Sequence, residues 1–190
     1  MLMSSKVNAS LAVEKALSGK IVSMISSGDP GVYGMAGLVL EVAKSRNLKM
    51  PIEIIPGIPS ANAAGALLGA PLMHDYVVIS LSDLLTPWGI IEKRVTLAAV
   101  GDFVIVLYNP RSAGRTWQLE KAVEIILTHK SPDTTVGIVK SAMRKDQSVT
   151  VTKLDELLRY PIDMTTIIII GNSTTFVFGS YMVTKRGYMV

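Results

Sequence analysis

Short apolar runs alternate with segments of helical periodicity along the whole chain. In the first half, the runs Lys20–Ser26 and Ile52–Ile55 each lead into a turn that contains glycine and proline. Each turn is followed by a segment of helical spacing, Met35–Ser45 after the first and Ser60–Leu68 after the second. A strand, a turn and a helix in this order predict parallel strands joined by right-handed crossovers.

The same alternation continues through the second half. It predicts strands over Tyr76–Leu81, Phe103–Tyr108, Thr134–Lys140, Ser148–Thr152 and Thr165–Gly171. It also predicts helices over Pro87–Val100, Thr116–Thr128 and Leu154–Tyr160, and a hairpin around Gly179. Polar loops follow several of these strands, and open α/β sheets bind ligands at the carboxyl ends of their strands.

This order of elements places the chain in the α/β class, with two lobes formed by residues 1–84 and 85–190. The first lobe supplies only about three strands, which is few for a doubly wound sheet. We therefore expect the first lobe to be incomplete.

Composition narrows the classes of function. Of the 190 residues 49% are hydrophobic and 18% are charged, so the chain can bury a core. The absence of cysteine excludes disulfides, thiolate metal sites and a cysteine nucleophile, and two histidines are too few for a histidine-rich metal site. We expect no resident metal. The apolar runs are shorter than the roughly 20 residues that span a bilayer. With no signal segment at the N-terminus, they indicate a cytoplasmic protein.

The net charge of +4 is modest, and the basic residues are scattered along the chain. Nucleic acid is therefore an unfavoured partner, whereas a small substrate with several negative charges is compatible with this distribution.

The loop Ser26–Gly34 carries the first candidate chemistry. Its three glycines, Gly28, Gly31 and Gly34, would let the main chain approach a ligand closely, and Asp29 adds a carboxylate. An ordinary turn between a strand and a helix would use glycine and proline in the same way, so both interpretations remain open.

Four further polar clusters lie next to predicted strands. They are Pro56–Ser60, Leu107–Arg115, Lys140–Asp146 and the pair Asp163–Thr166 with Gly171–Thr175. Arginine can hold a carboxylate with two parallel hydrogen bonds, but a solvated basic loop has the same composition. No serine or cysteine stands in the context of a nucleophile, which makes a hydrolase triad improbable.

Taken together, these segments resemble the tetrapyrrole methylase family, and within it the branch that methylates carbon 17 of precorrin-3B in cobalamin biosynthesis. The resemblance runs from about Leu11 to the C-terminus and is most specific in Ile79–Trp88 and Tyr108–Arg111. The other segments that carry it are Ser26–Gly37, Pro56–Asn62, Asp163–Thr166 and Gly171–Ser173.

The resemblance implies a two-lobed fold, with a parallel sheet in the first lobe, a mixed sheet in the second and the active site in the cleft between them. The family begins with a strand that ends in a Gly-Pro-Gly loop, and nothing in Met1–Lys20 matches it. We expect the first strand, its helix and the second strand to be missing from the first lobe. The alternatives are an inactive remnant that binds a tetrapyrrole or dimerises, and a methylase that acts on another tetrapyrrole carbon.

The resemblance also implies the ligands and their contacts. The cofactor would be S-adenosylmethionine, and the enzyme would act by positioning, without a catalytic side chain. The implied cofactor contacts are Ser27, Gly28, Asp29, Val32, Pro59, Ser60, Asn109, Ala142, Thr165 and Thr166. The expected substrate contacts, chosen mainly by charge, are Tyr33, Arg111, Lys140 and Arg144. A homodimer and an association with corrin ring contraction are further expectations.

Overall fold

A computed structural model describes residues 2–189 of the chain. The chain divides into two compact units, which we call unit 1 (the described residues up to Ser60) and unit 2 (from Ala61 onward). None of the helices in residues 2–189 is both long and apolar enough to cross a bilayer.

Unit 1 is built on a pair of helices, α1 (Leu2–Leu17) and α2 (Ala36–Ser45). Ala9 and Val13 of α1 pack with Val42 of α2 in a small buried cluster. An ion pair between Arg46 and Glu14, with 3.2 Å from Nη1 to Oε1, joins the two helices at the surface. Helix α3 (Ser60–Leu68) begins where unit 1 ends.

Two of the three strands predicted for the first lobe do not form. Residues 20–26 and 52–59 have no strand structure, and no strand lies among the described residues of unit 1. Ile25 and Ile55 are 90% and 73% exposed, although they lie in the most apolar runs of this unit. A strand exists only where a neighbour accepts and donates its backbone hydrogen bonds, and an apolar run does not supply that neighbour. The expected parallel sheet of the first lobe is therefore absent from the described residues.

Unit 2 contains the sheets of the protein. Five strands form its larger sheet: β2 (Tyr76–Ser80), β3 (Val104–Tyr108), β4 (Thr135–Lys140), β5 (Ser148–Lys153) and β6 (Thr166–Ile170). Their order in the sheet is β2-β3-β6-β4-β5. Strands β2 and β3 are parallel, and the three other neighbouring pairs are antiparallel, so the predicted α/β class and the mixed sheet are confirmed.

The remaining elements of unit 2 cover this sheet or form a second one. A three-stranded sheet has the order β1-β8-β7, made of β1 (Gly69–Ala70), β7 (Thr175–Phe178) and β8 (Tyr181–Thr184). The helices are α4 (Trp88–Val100), α5 (Gln118–Leu127) and a 3₁₀ helix (Leu154–Arg159).

The large sheet is buried on both faces. In β3, Ile105 and Leu107 belong to a core formed with α4, α5 and the 3₁₀ helix. Val104 and Val106, which alternate with them, belong to a second core with α3 and β8. This alternation follows from the two-residue period of a strand, and burial on both faces explains the continuous apolar runs in β3 and β6.

The division between the units differs from the boundary predicted at residues 84 and 85. Strand β2 pairs with β3 along its whole length, from Tyr76 beside Val104 to Ser80 beside Tyr108. Residues 76–80 therefore belong to the sheet of unit 2. The chain connects these two parallel strands through the crossover helix α4. The local sequence pattern of a strand does not reveal which strand will pair with it.

Candidate functional site

Four loops of unit 2 meet at one edge of the five-stranded sheet. The loops after β2, β3 and β4 leave the sheet at the edge where β6 begins, because β6 runs antiparallel to both β3 and β4. The pairing of Lys140 with Thr166 and of Leu107 with Ile168 fixes this alignment. We call this the loop edge. Seven predicted site residues lie on it or within a few residues of it in the chain: Asn109, Arg111, Lys140, Ala142, Arg144, Thr165 and Thr166.

Asn109 is held firmly at the exit of β3. Its φ of 50° lies in the left-handed region, which asparagine tolerates better than most residues. Its side-chain Nδ2 donates to Ser80 Oγ at 2.9 Å, and its carbonyl accepts from Arg115 Nη1 at 2.8 Å. The buried Arg115 also contacts Met164 Sδ at 3.1 Å through Nη2. The loops after β2 and β3 and the segment before β6 are thus linked by side chains.

Asp163 joins the segment before β6 to the end of β4. Its Oδ1 accepts hydrogen bonds from the Thr165 N–H at 2.8 Å and the Thr165 hydroxyl at 2.7 Å. Its Oδ2 lies 2.8 Å from the Lys140 ammonium. The Lys140 and Thr165 hydrogen bonds hold the pKa of the Asp163 carboxyl far below its ordinary value of 3.8. The carboxylate is therefore charged throughout the neutral range.

The loop after β4 contains two residues in left-handed conformations, Ser141 at φ 50° and Met143 at φ 58°. Ala142 stands between them and packs against the core that contains α3. The Ser141 N–H donates to the Thr165 carbonyl at 3.0 Å, and the Met143 N–H donates to Gln147 Oε1 at 2.8 Å. Non-glycine residues keep such conformations only where the surroundings hold them in place.

The three predicted cationic contacts differ in their surroundings. Arg111 lies 2.7 Å from Glu120 Oε1, and Lys140 is paired with Asp163. Arg144 is exposed. Acidic partners therefore set the positions of the Arg111 and Lys140 side chains.

The remaining predicted residues lie in unit 1, where Asp29 joins two loops. Its Oδ1 accepts from the Gly31 N–H at 2.8 Å and its Oδ2 from the Gly57 N–H at 3.0 Å. These two backbone bonds lower the pKa of the Asp29 carboxyl, the Gly57 bond having the larger effect. Asp29 therefore holds the loop after residue 26 against the loop before α3.

Two glycines permit this close approach. Gly28 has a φ of +73°, and a Cβ on Gly57 would collide with the Gly28 carbonyl oxygen. The predicted contacts on these two loops are thereby brought together within unit 1: Ser27, Gly28, Asp29, Val32, Pro59 and Ser60. Tyr33, with φ at 54° and a 57% exposed side chain, follows on the first loop.

A groove of about 780 Å³ lies at the opposite end of β4, lined by residues that include Asp133, Lys153 and Tyr160. It contains none of the predicted site residues. The described residues contain no group of three or more histidine, cysteine, aspartate or glutamate side chains arranged to hold a metal ion.

Three residues that organise the loop edge were not among the predicted site residues: Ser80, Arg115 and Asp163. The sequence indicated Arg115 as a residue that could hold a carboxylate, but in the structure its guanidinium bonds to the Asn109 carbonyl and to Met164 Sδ. A local signal existed for Asp163, because an aspartate two residues before a threonine is typical of a turn in which the carboxylate accepts the backbone N–H. The contact of Arg115 with Met164 spans 49 residues and leaves no local signal.

A family model and individual relatives of this chain indicate the same protein family. The family model of the tetrapyrrole (corrin/porphyrin) methylases matches residues 3–158. A Salmonella typhimurium protein described as a probable cobalt-factor III C(17)-methyltransferase is 51% identical over 177 residues, which are 93% of this chain and 73% of that protein. The cobalt-factor III methyltransferase of Priestia megaterium is 51% identical over 181 residues, and the match covers 93% of this chain but 34% of that longer protein.

Two solved structures that resemble this chain are also methyltransferases. The crystal structure of the methyltransferase CobJ superposes with a TM-score of 0.88 at 36% identity, covering 95% of this chain and 77% of that one. The uroporphyrin-III C-methyltransferase of Thermus thermophilus, solved with S-adenosylhomocysteine, superposes with a TM-score of 0.62 over 86% of this chain and 71% of that one. At 20% identity, the second likeness shows the shared fold alone.

Proposed function

The chain belongs to the tetrapyrrole (corrin/porphyrin) methylase family, and from this premise we propose that it is a C-methyltransferase of cobalamin biosynthesis. It transfers a methyl group from S-adenosylmethionine to carbon 17 of a precorrin-3B-type tetrapyrrole. The observation that carries the proposal is the identity of about half of all aligned residues with two cobalt-factor III methyltransferases. Their names favour the cobalt-containing form of the substrate over the metal-free form. The associated ring contraction stays a prediction.

The chemistry of the candidate loops fits S-adenosylmethionine. The cofactor offers an adenosine with polar edges and ribose hydroxyls, and an amino-acid end that carries both charges. In unit 1 the glycine contacts bring backbone groups close together, and Ser27 and Ser60 add hydroxyls. In unit 2 the loop edge offers the Asn109 amide, the Ala142 backbone and the Thr165 hydroxyl. We propose as cofactor contacts the ten residues that the resemblance implied: Ser27, Gly28, Asp29, Val32, Pro59, Ser60, Asn109, Ala142, Thr165 and Thr166.

When bound, the cofactor would supply a methyl group on a positively charged sulfur, which a nucleophilic carbon of the substrate would attack in line, with the neutral thioether as the leaving group. The reaction therefore needs no nucleophile from the protein. The residues of this chain hold and orient the two reactants, and such positioning can contribute roughly 7–11 kcal/mol to the lowering of a barrier. We assign no catalytic side chain.

The substrate side of the proposal rests on charge. A precorrin carries acetate and propionate carboxylates, and arginine and lysine bind such groups. We propose Arg111, Lys140 and Arg144 as carboxylate contacts and Tyr33 as a further contact. The acidic partners of Arg111 and Lys140 hold these cations in place, which reduces the entropy lost when a carboxylate binds.

Calorimetric titration with S-adenosylhomocysteine, followed by a methylation assay, tests the proposed function. We expect saturable binding and the transfer of one methyl group to a cobalt-factor III substrate, detected by mass spectrometry. Transfer to a different tetrapyrrole alone would identify another acceptor carbon. Absence of binding would overturn the methyltransferase proposal in favour of a non-catalytic protein, for which the exposed isoleucines of unit 1 are the specific observation.

A homodimer and a cytoplasmic location stay predictions. The apolar side chains exposed on both units favour association of two copies. Sedimentation at micromolar concentration should then give about twice the chain mass of 20.4 kDa. A monomeric mass would contradict the dimer without bearing on the proposed chemistry.

A further inference from the structure

One carboxylate connects the two loops that flank the pairing of β4 with β6. Asp163 uses one oxygen for Thr165 and the other for Lys140, and the Thr166 hydroxyl lies 3.3 Å from Oδ1. Ser141, which follows Lys140, donates its N–H to the Thr165 carbonyl at 3.0 Å. Removal of the Asp163 charge would therefore affect both loops at once.

The loop after β4 needs such a connection because its local conformation is unfavourable. Ser141 and Met143 both lie in the left-handed region, where non-glycine residues are held only by their surroundings. Lysine loses considerable side-chain freedom when it is fixed in one place. The charge-assisted contact at 2.8 Å restricts Lys140 before any ligand binds.

We propose that Asp163 is a positioning residue that sets both ligand-binding walls of the loop edge, the Lys140 ammonium for the substrate and the Thr165 and Thr166 segment for the cofactor. This inference rests on the proposed function. Asp163 itself needs no contact with either ligand, since its two oxygens are engaged by Lys140 and by the two threonines.

The matched control is a second aspartate–lysine pair, which lies at the other end of β4. Asp133 lies just before β4, at the end opposite Lys140, and its Oδ1 is 2.6 Å from the Lys153 ammonium. D133N and D163N remove the same charge from ion pairs at the surface, of which the Asp133 pair is the more exposed. Only D163N affects the loop edge.

The test compares both variants and K140M with the unmodified protein. In D163N the amide nitrogen cannot accept from the Lys140 ammonium. We expect the Kd for S-adenosylhomocysteine and the KM for the tetrapyrrole each to rise about tenfold, as for the loss of one hydrogen bond to a charged group. K140M should raise the KM alone, and D133N should change neither constant. A D163N protein that only melts at a lower temperature, with both constants unchanged, would overturn the inference.

Hydrogen exchange separates this inference from the proposed function. The amides of Thr165 and Ser141 should exchange faster in D163N than in D133N, whether or not the protein binds S-adenosylhomocysteine. If the unmodified protein did not bind S-adenosylhomocysteine, the proposed function would be refuted but the positioning role of Asp163 would not. Equal exchange rates at these two amides in both variants would refute the positioning role alone.

Discussion

At the scale of single residues, backbone strain is concentrated in the candidate loops. Six described non-glycine residues have a positive φ, and four of them stand in those loops: Tyr33, Asn109, Ser141 and Met143. Such conformations are unfavourable by about 1–3 kcal/mol each and persist where surrounding contacts require them. The strain therefore lies in loops whose conformations are held by contacts with the rest of the fold.

Gly57 provides a direct test of the unit 1 loops. In G57A the new methyl group would meet the Gly28 carbonyl oxygen, a backbone atom that cannot rotate away. We expect the unfolding of unit 1 to become easier by about 1–3 kcal/mol, the usual effect of overpacking. We also expect weaker binding of S-adenosylhomocysteine in calorimetry.

The control for this prediction is G37A, because a Cβ on Gly37 has no neighbour within 4 Å. G37A should keep the binding affinity. Equal affinities for G57A and G37A would show that the close approach of the two loops does not shape the binding surface.

At the scale of elements, similar apolar runs form buried strands in unit 2 but not in unit 1. The central strands β3 and β6 have neighbours on both sides and are buried throughout. The runs around Ile25 and Ile54 have no strand partner among the described residues and stay largely exposed. The difference lies in the availability of a partner and not in the apolar character of the run.

This difference predicts unequal effects of truncating isoleucines. I168A, in the centre of β6 where the side chain is fully buried, should destabilise unit 2 by about 2–5 kcal/mol. I25S should change stability by less than about 0.5 kcal/mol, as for other exposed positions. Urea unfolding measures both. A large loss in I25S would show that this segment is covered in solution, as it would be in a dimer.

An ion pair with one buried partner joins the ends of three elements of unit 2. Lys130, after α5, has a side chain only 3% exposed, and its ammonium lies 2.8 Å from Asp102 Oδ1 at the end of α4. The Ser173 hydroxyl, after β6, also donates to Asp102. Burial raises the pKa of Asp102, but the Lys130 and Ser173 hydrogen bonds outweigh it and leave this pKa below its ordinary value.

Replacing the acidic partner, Asp102, should destabilise the fold more than replacing Lys130. D102N keeps a residue that tolerates the left-handed φ of 51° but leaves the Lys130 ammonium buried without a carboxylate. We expect a loss of roughly 2 kcal/mol, in the range for a hydrogen bond to a charged group. K130M removes the buried charge and should cost less, because Asp102 is 44% exposed and can be solvated.

The same pair predicts a pH dependence. Because the pKa of Asp102 is lower in the folded protein, its contribution is complete above the ordinary value of 3.8 and is lost as pH falls below it. Between pH 7 and pH 3, D102N should therefore lose less unfolding free energy than the unmodified protein. Parallel losses in urea titrations at the two pH values would contradict the assignment.

At the scale of the whole molecule, the two units have unequal cores. Unit 2 has two large clusters of buried side chains on the faces of one sheet. Among the described residues, the buried cluster of unit 1 consists of Ala9, Val13 and Val42, with partly buried apolar side chains packed against it. Because burial of apolar area is the main stabilising contribution, unit 1 should be the less stable of the two.

Hydrogen exchange measured by mass spectrometry checks this difference. Peptides from residues 18–34 and 47–59, outside α2, should exchange within the fastest class, while those from β3, β4 and β6 should be protected up to global unfolding. Addition of S-adenosylhomocysteine should slow exchange at residues 26–34 and 56–60. Equal protection in both units without ligand would show that unit 1 is covered by a partner.

The sequence by itself determined the α/β class, the elements of the second half to within about two residues, and the loops that carry candidate chemistry. These features depend on local periodicity and turn residues, so a single segment is enough to reveal them. The structure confirmed the mixed sheet, while Leu154–Arg159 became a 3₁₀ helix.

Only the tertiary structure decided which strands have partners and which side chains meet. The insertion of β6 between β3 and β4 creates the loop edge, and it brings Asp163 to Lys140 and Arg115 to Met164. Because no neighbouring strand pairs with them in the described residues, Lys20–Ser26 and Ile52–Ile55 have no strand structure. Strand pairing and side-chain contacts join residues far apart in the chain, so no local pattern contains them.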